Sequence, residues 1–208
     1  MMEAAPTVFV VDDDAAVRNS LRELLTSASL PVETYASGKE FLDAFHPERP
    51  GCLLLDVRLK EGSGLDVQDE LLRRDAALPI IVLTGHGDVP NSVRAMKAGA
   101  FDFLQKPPPV DLLLDRINAA IECDRAARSA AGMRTEAIHR LASLTPRERD
   151  VMSLLVAGGT SKEAASDLGI SVRTVEGHRR RVLSKLGVTS AAQLVRFVMR
   201  TRPPQAAD

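Results

Sequence analysis

The chain has 208 residues, 45% of them hydrophobic, with six Phe, one Tyr, no Trp and a net charge of −1. That length accommodates one large domain or two small ones, and the apolar content supports an aliphatic core. So few aromatics disfavour a surface that binds single strands by stacking bases. The near-neutral sum hides an asymmetry: residues 1–143 carry 16 Lys and Arg against 22 Asp and Glu, residues 144–202 carry 11 against 5. An acidic front and a basic back imply two domains with different partners.

Cys52 and Cys123 have no metal-ligand spacing and cannot form a disulfide framework, so a reducing cytoplasm is expected. The start is acidic, so no signal peptide is expected. No apolar run approaches the ~18 residues of a membrane span, so no membrane partner is expected.

In chain order, residues 7–11 read as a buried strand. Asp14 caps a helix through Ser27, with Val17, Leu21, Leu24 and Leu25 on one face. A short strand follows at 32–35, and Ser37 to Glu40 has the form of a capping box. A strand at 52–56 ends in Asp56, a helix follows at 65–74, and a strand at 79–84 ends in Thr84. A helix at 90–98 and a strand at 101–104 precede Lys106 and three prolines. Five strand–helix alternations predict an α/β fold: a five-stranded parallel, doubly wound sheet.

A long helix starts at Val110, marked by Leu113, Leu114, Ile117 and Ile121. Its stripe fails near Asp124 and Arg128 and resumes at Met133, so residues 124–143 read as a helical linker with a soft point at Gly132. A solvated connector and a dimer seam both fit it. Residues 144–202 read as four short helices with caps at Thr145, Thr160, Ser171 and Ser190, an all-α bundle containing a helix-turn-helix. Residues 203–208 form a tail.

In open parallel sheets ligands sit at the carboxyl ends of strands. Asp12, Asp13, Asp56, Thr84 and Lys106 all fall there. Clustered carboxylates repel unless a cation joins them, and magnesium prefers such hard oxygens with phosphate completing its shell. Asp56 is then the candidate nucleophile toward phosphorus, with Lys106 and Thr84 toward the phosphoryl oxygens.

The stations "VVDDD", "LLLDVR", "VLTGHGD" and "FLQKP" make residues 6–123 resemble a CheY-like receiver domain of two-component response regulators. Residues 84–107 resemble the FixJ subgroup, and residues 144–200 resemble the LuxR/FixJ-type helix-turn-helix. The resemblance implies Asp56 as phosphoacceptor and Asp12, Asp13, Asp56 and the Arg58 carbonyl as Mg²⁺ ligands. It implies Thr84 and Phe103 as a switch pair, though Phe103 reads equally as plain core. It implies a cis Lys106–Pro107 peptide. Two positions depart from the family: Lys60 replaces the usual proline four residues after the phosphoacceptor, bringing a cation nearer the pocket, and Pro108 replaces the usual aromatic. Arg58 and His86 occupy positions that influence dephosphorylation in the family.

The helix over 171–186 is the expected recognition helix, with Val175, Val182, Leu183 and Leu186 toward the bundle. By resemblance Glu176, Gly177 and Arg180 face bases, Arg180 being suited to guanine. Lys162, Arg173, Thr174, His178, Arg179 and Lys185 are expected as phosphate or scaffold positions, His178 alternatively hydrogen-bonding within the bundle. Val93, Arg94, Met96 and Lys97 are the expected dimer face.

The implied partners are a cognate sensor histidine kinase, double-stranded promoter DNA, a second copy on phosphorylation, and RNA polymerase. An aspartate-nucleophile phosphatase is the enzymatic rival, but Ala16 stands where its motif wants Thr or Val. A DNA-binding protein indifferent to phosphorylation is the other rival, and the intact Asp/Asp/Asp/Thr/Lys set opposes it.

Overall fold

The computed structural model describes residues 5–85 and 89–201, and from 89 to 92 the backbone only. The first half contains β1 (Thr7–Val11), α1 (Ala15–Ser27), β2 (Val32–Tyr35), α2 (Gly38–Ala44), β3 (Gly51–Asp56), α3 (Gly64–Arg73), β4 (Ile80–Thr84), α4 (Val89–Lys97) and β5 (Asp102–Gln105). All pairings are parallel, in the order β2-β1-β3-β4-β5.

Both faces of this sheet are covered, so its central strands are apolar runs, polar only at their ends (Thr7, Asp56, Thr84), and sort their side chains by alternation. Phe9, Val11, Leu53, Leu55 and Val82 pack with Phe41, Leu65, Leu71 and Ala95 from α2, α3 and α4. Val8, Val10, Cys52, Leu54, Ile81 and Leu83 pack on the other face with Leu21 and Leu25 of α1 and with Leu113, Ile117 and Ile121 of α5. α5 runs Val110–Ala142, continuous through Gly132. The soft point expected there produces no break; one glycine costs a helix only about 1 kcal/mol.

Two compact units divide at Arg128 and Ser129. The first unit includes the opening residues of the segment expected as linker. Asp124, where the apolar stripe fails, is buried, and its Oδ2 accepts the Gly51 amide at 2.9 Å. Arg128 pairs with Asp124 at 2.8 Å and donates to the Pro47 and Arg49 carbonyls. A polar pair replaces the apolar stripe because the helix there meets the loop entering β3.

The second unit contains α6 (Pro146–Val156), α7 (Ser161–Leu168), α8 (Val172–Leu186) and α9 (Ala191–Thr201). Thr145 with Glu148 and Thr160 with Glu163 form reciprocal capping boxes, and the Ser171 side chain caps α8. Gly169 and Gly187 close α7 and α8 in the left-handed conformation, φ 63° and 67°, which a glycine adopts without strain. Val151, Leu155, Val175, Val182, Leu186, Leu194 and Phe197 form its core, joined by Ala137 from the last turns of α5.

Candidate functional site

Parallel register builds the acidic pocket. Val11 pairs with Leu55 and Asp56 with Leu83, so the residues that leave β1, β3 and β4 emerge together at one end of the sheet. One carboxylate oxygen each from Asp12, Asp13 and Asp56 lies within 4.8 Å of the others. Asp12 is fully buried, Asp56 nearly so, and Asp13 is at the rim. Asp14 stands apart: its Oδ1 accepts the Ala16 amide and caps α1, as expected.

Lys106 arrives from the turn after β5. Its Nζ lies 2.6 Å from Asp12 Oδ2 and 2.6 Å from Asp56 Oδ2. Burial works to lower the pKa of this ammonium, but the hydrogen bonds it donates to the two carboxylates, with their negative charge, outweigh it and hold the pKa above the ordinary lysine value. The remaining oxygens are also engaged: Asp12 Oδ1 accepts the Asp14 amide at 2.9 Å, and Asp56 Oδ1 accepts the Arg58 amide at 3.1 Å. The latter bond brings the Arg58 backbone to the pocket. The Lys106 amide donates to the Thr84 carbonyl at 2.8 Å, and the Lys106–Pro107 peptide is cis.

Thr84, the last residue of β4, is buried, and its hydroxyl donates a long bond, 3.4 Å, to the Gly85 carbonyl. Phe103 is 44% exposed, so its reading as core is corrected: on β5 the inward position belongs to Leu104. Lys60, in place of the family's proline, puts its ammonium 3.5 Å from Asp13 Oδ2. Arg18 was missed in the sequence. On the first turns of α1, it donates to the Asp12 carbonyl at 2.7 Å; an arginine opening the helix that leaves the pocket was the available signal. His86 lies outside the described residues.

Three carboxylates and a nearby backbone are hard oxygen donors of the kind magnesium takes. Lys106 satisfies two of those carboxylates from one side and leaves Asp13 toward the rim. The donor set thus fits a small divalent cation.

On α4, Val93, Arg94, Met96 and Lys97 are exposed around buried Ala95, and Arg94 pairs with Asp69 of α3 at 3.1 Å. Gln68 of α3, also missed in the sequence, is buried and its Nε2 donates to the Ala95 and Ala98 carbonyls, 3.0 Å each.

In the helical unit α8 buries Val175, Val182 and Leu186 and exposes Arg173, Thr174, Glu176 and Arg180, with Lys162 exposed on α7. Among the described residues Arg173 and Arg180 make no ion pair. Arg179 lies 3.6 Å from Glu176, whose carboxylate also accepts the Ser161 hydroxyl. The Thr174 hydroxyl shares the α8 cap with Ser171. His178 Nδ1 is buried with no partner among the described residues, so the bundle hydrogen bond considered for it is not made at that atom. Lys185, expected as a phosphate or scaffold position, makes scaffold contacts: its ammonium donates to Glu148 at 2.6 Å and to the Ser143 carbonyl at 3.1 Å.

Comparison with known proteins follows this division. Residues 8–118 match the response regulator receiver domain, and residues 142–198 match the bacterial regulatory proteins of the luxR family. The chain is 48% identical over 196 residues to the transcriptional regulatory protein TdiR of Thauera aromatica, covering 94% of this chain and 86% of that protein. It is 41% identical over 193 residues to the transcriptional regulatory protein FixJ of Bradyrhizobium diazoefficiens, covering 93% and 94%. Among solved structures, the response regulator StyR superposes with a TM-score of 0.87 at 43% identity, covering 95% of this chain and 100% of that one. Neither matched family is an enzyme family, and among the described residues no single helix is long and apolar enough to cross a membrane. With an acidic pocket on a parallel sheet in one unit and a basic helix in the other, the chain belongs to the two-component response regulators of the FixJ type, transcriptional regulators that join a receiver domain to a LuxR-type DNA-binding domain.

Proposed function

We propose that a sensor histidine kinase phosphorylates this regulator on Asp56, and that the phosphorylated chain dimerises, binds promoter DNA and activates transcription with RNA polymerase, in the cytoplasm. The observation that carries the reading is the Lys106 ammonium bridging Asp12 and Asp56 at 2.6 Å. A lysine held there keeps Asp56 oriented and places positive charge where the transferred oxygens would arrive.

Asp12, Asp13, Asp56 and the Arg58 carbonyl would hold Mg²⁺, which when bound supplies charge neutralisation for the phosphoryl oxygens. The ionised Asp56 carboxylate attacks phosphorus through one oxygen; the O–P bond forms as the N–P bond to the donor imidazole breaks, and the departing imidazole nitrogen takes its proton from solvent water. Lys106 then changes partners from carboxylate to phosphoryl oxygen, and the Thr84 hydroxyl, whose bond to the Gly85 carbonyl is long, turns the same way. The space it leaves suits an inward turn of Phe103, now exposed. Repacking of α4 and β5 would present Val93, Arg94, Met96 and Lys97 to a second copy; phosphorylation biases a two-state element. Glu176 and Arg180 face bases, while Lys162, Arg173, Thr174 and Arg179 hold phosphates and His178 serves as scaffold.

Acetyl phosphate with Mg²⁺ tests this. Wild type should acquire one acid-stable, base-labile phosphoryl group and gain DNA affinity; Asp56→Asn should do neither. Wild type that takes up no phosphoryl group, or an Asp56→Asn chain labelled equally, removes the assignment. DNA affinity unchanged by a confirmed label revives the phosphorylation-indifferent rival.

A further inference from the structure

The pocket holds three carboxylates and receives two ammonium groups, and the two are not equivalent. Lys106 is partly buried and binds Asp12 and Asp56 closely. Lys60 has a side chain 78% exposed and sits 3.5 Å from both Asp13 Oδ2 and the Asp13 carbonyl oxygen. Asp12 and Asp56 each have both oxygens hydrogen-bonded inside the protein. Among the described residues the Asp13 carboxylate has Lys60 alone.

The loop gives Lys60 a defined place. Arg58 bridges to Ser63, and the Gly64 amide and Ser63 hydroxyl both donate to the Val57 carbonyl, at 2.9 and 3.3 Å. The segment from Val57 to Gly64 is thus closed on itself, with Lys60 at its tip beside Asp13. A proline at this position could carry no charge there.

We propose that Lys60 is a positioning residue that competes with the divalent cation for Asp13 and so sets the Mg²⁺ concentration at which the pocket fills. This rests on the reading of the pocket as a magnesium site. An ammonium near Asp13 lowers the potential that attracts a cation, and it must yield its place when one arrives. Because Lys60 is exposed, its coupling to Asp13 is modest and screened by salt. Its removal should tighten Mg²⁺ binding about two- to fivefold, the scale of an exposed ion pair.

The test is calorimetric titration of MgCl₂ into the full chain at low and near-physiological ionic strength, with Lys60→Ala, Lys60→Arg and, as a control for net charge, Lys39→Ala on α2. Expected are tighter binding in Lys60→Ala at low salt, a difference that shrinks as salt rises, wild-type affinity in Lys60→Arg and none of this in Lys39→Ala. Equal or weaker binding by Lys60→Ala overturns the proposal, and so does equal tightening in Lys39→Ala, which would report general charge. Heat of Mg²⁺ binding absent from wild type would overturn the magnesium site itself, a failure distinct from these.

Discussion

Lys185 Nζ lies 2.6 Å from Glu148 Oε2 and joins the last turn of α8 to the first turn of α6. Glu148 is 3% exposed, and its carboxylate also accepts the Thr145 amide at 2.9 Å. One acid therefore completes a helix cap and fixes α8 against α6. Losing it leaves the Thr145 amide without this acceptor and Lys185 with the Ser143 carbonyl.

Glu148→Gln should destabilise the helical unit by about 1–3 kcal/mol, read from hydrogen exchange in α6 and α8 of the full chain. The Lys185 hydrogen bond, then the Thr145 amide, lowers the Glu148 pKa from 4.5 to about 2. A depressed acid gives stability that is complete above its unfolded value and lost as pH falls from 4.5 toward 2. That acid loss should flatten in the variant. Lys185→Met separates scaffold from phosphate contact: stability drops, while the salt dependence of DNA binding keeps its slope. A slope reduced by about one would restore Lys185 to the DNA surface.

Lys106 predicts the opposite limb of the pH curve. Its pKa is raised above 10.5 in the folded state, so its contribution is complete below the unfolded value and lost as pH rises through the folded one. Tyr35 and Cys52, each pushed up to about 12 chiefly by burial, lose stability over the same alkaline range. The informative quantity is thus a difference. Urea unfolding from about pH 9 to 11.5 should show a shallower alkaline decline in Lys106→Met than in wild type, together with lower stability at neutral pH from two carboxylates that have lost their common cation. Parallel curves would mean the 2.6 Å pairs contribute nothing.

Asp124 makes a prediction about the base of the sheet. Its carboxylate serves the Gly51 amide and Arg128 together. Gly51 cannot be replaced cheaply: φ is 147°, and a Cβ there would stand 1.8 Å from the Thr7 carbonyl oxygen. Asp124→Ala should cost about 1–3 kcal/mol and open the α5 segment beyond Ile121 to fast hydrogen exchange, with α1 and β1 far less affected. Protection unchanged at 122–128 would show that the helix holds there by itself.

The parallel sheet was legible because its strands are apolar runs that end in chemistry-bearing residues. Asp56, Thr84 and Lys106 are each the last word of a strand or the turn after it. The caps at Thr145 and Thr160 were legible because a local spacing determines them. What stayed hidden needed tertiary partners. Asp124 read as the end of a core stripe, because a buried carboxylate is intelligible only once Gly51 is beside it. Lys185 read as one more cation on a basic helix, since its partner Glu148 stands 37 residues away. Phe103 left two readings open because alternation along a four-residue strand does not by itself say which side is inward.

Gln68 carries the last prediction. Its Nε2 donates to the Ala95 and Ala98 carbonyls at the end of α4, while its Oε1 is buried without a partner among the described residues. One amide thus terminates the helix that carries Val93, Arg94, Met96 and Lys97. Gln68→Leu removes two hydrogen bonds and one orphaned acceptor; the Ala95 carbonyl keeps the Ala100 amide, and the Ala98 carbonyl loses the Gln68 donor. The loss of two bonds outweighs the relief of one orphan. Amides that close this turn, those of Ala98 and Ala100, should exchange about tenfold faster, the equivalent of ~1.4 kcal/mol of local stability. With its end released, α4 repacks more readily, so the fraction of dimer before phosphorylation should rise in analytical ultracentrifugation. Unchanged exchange would show that Gln68 does not restrain α4; faster exchange with no rise in dimer would place the restraint outside the switch.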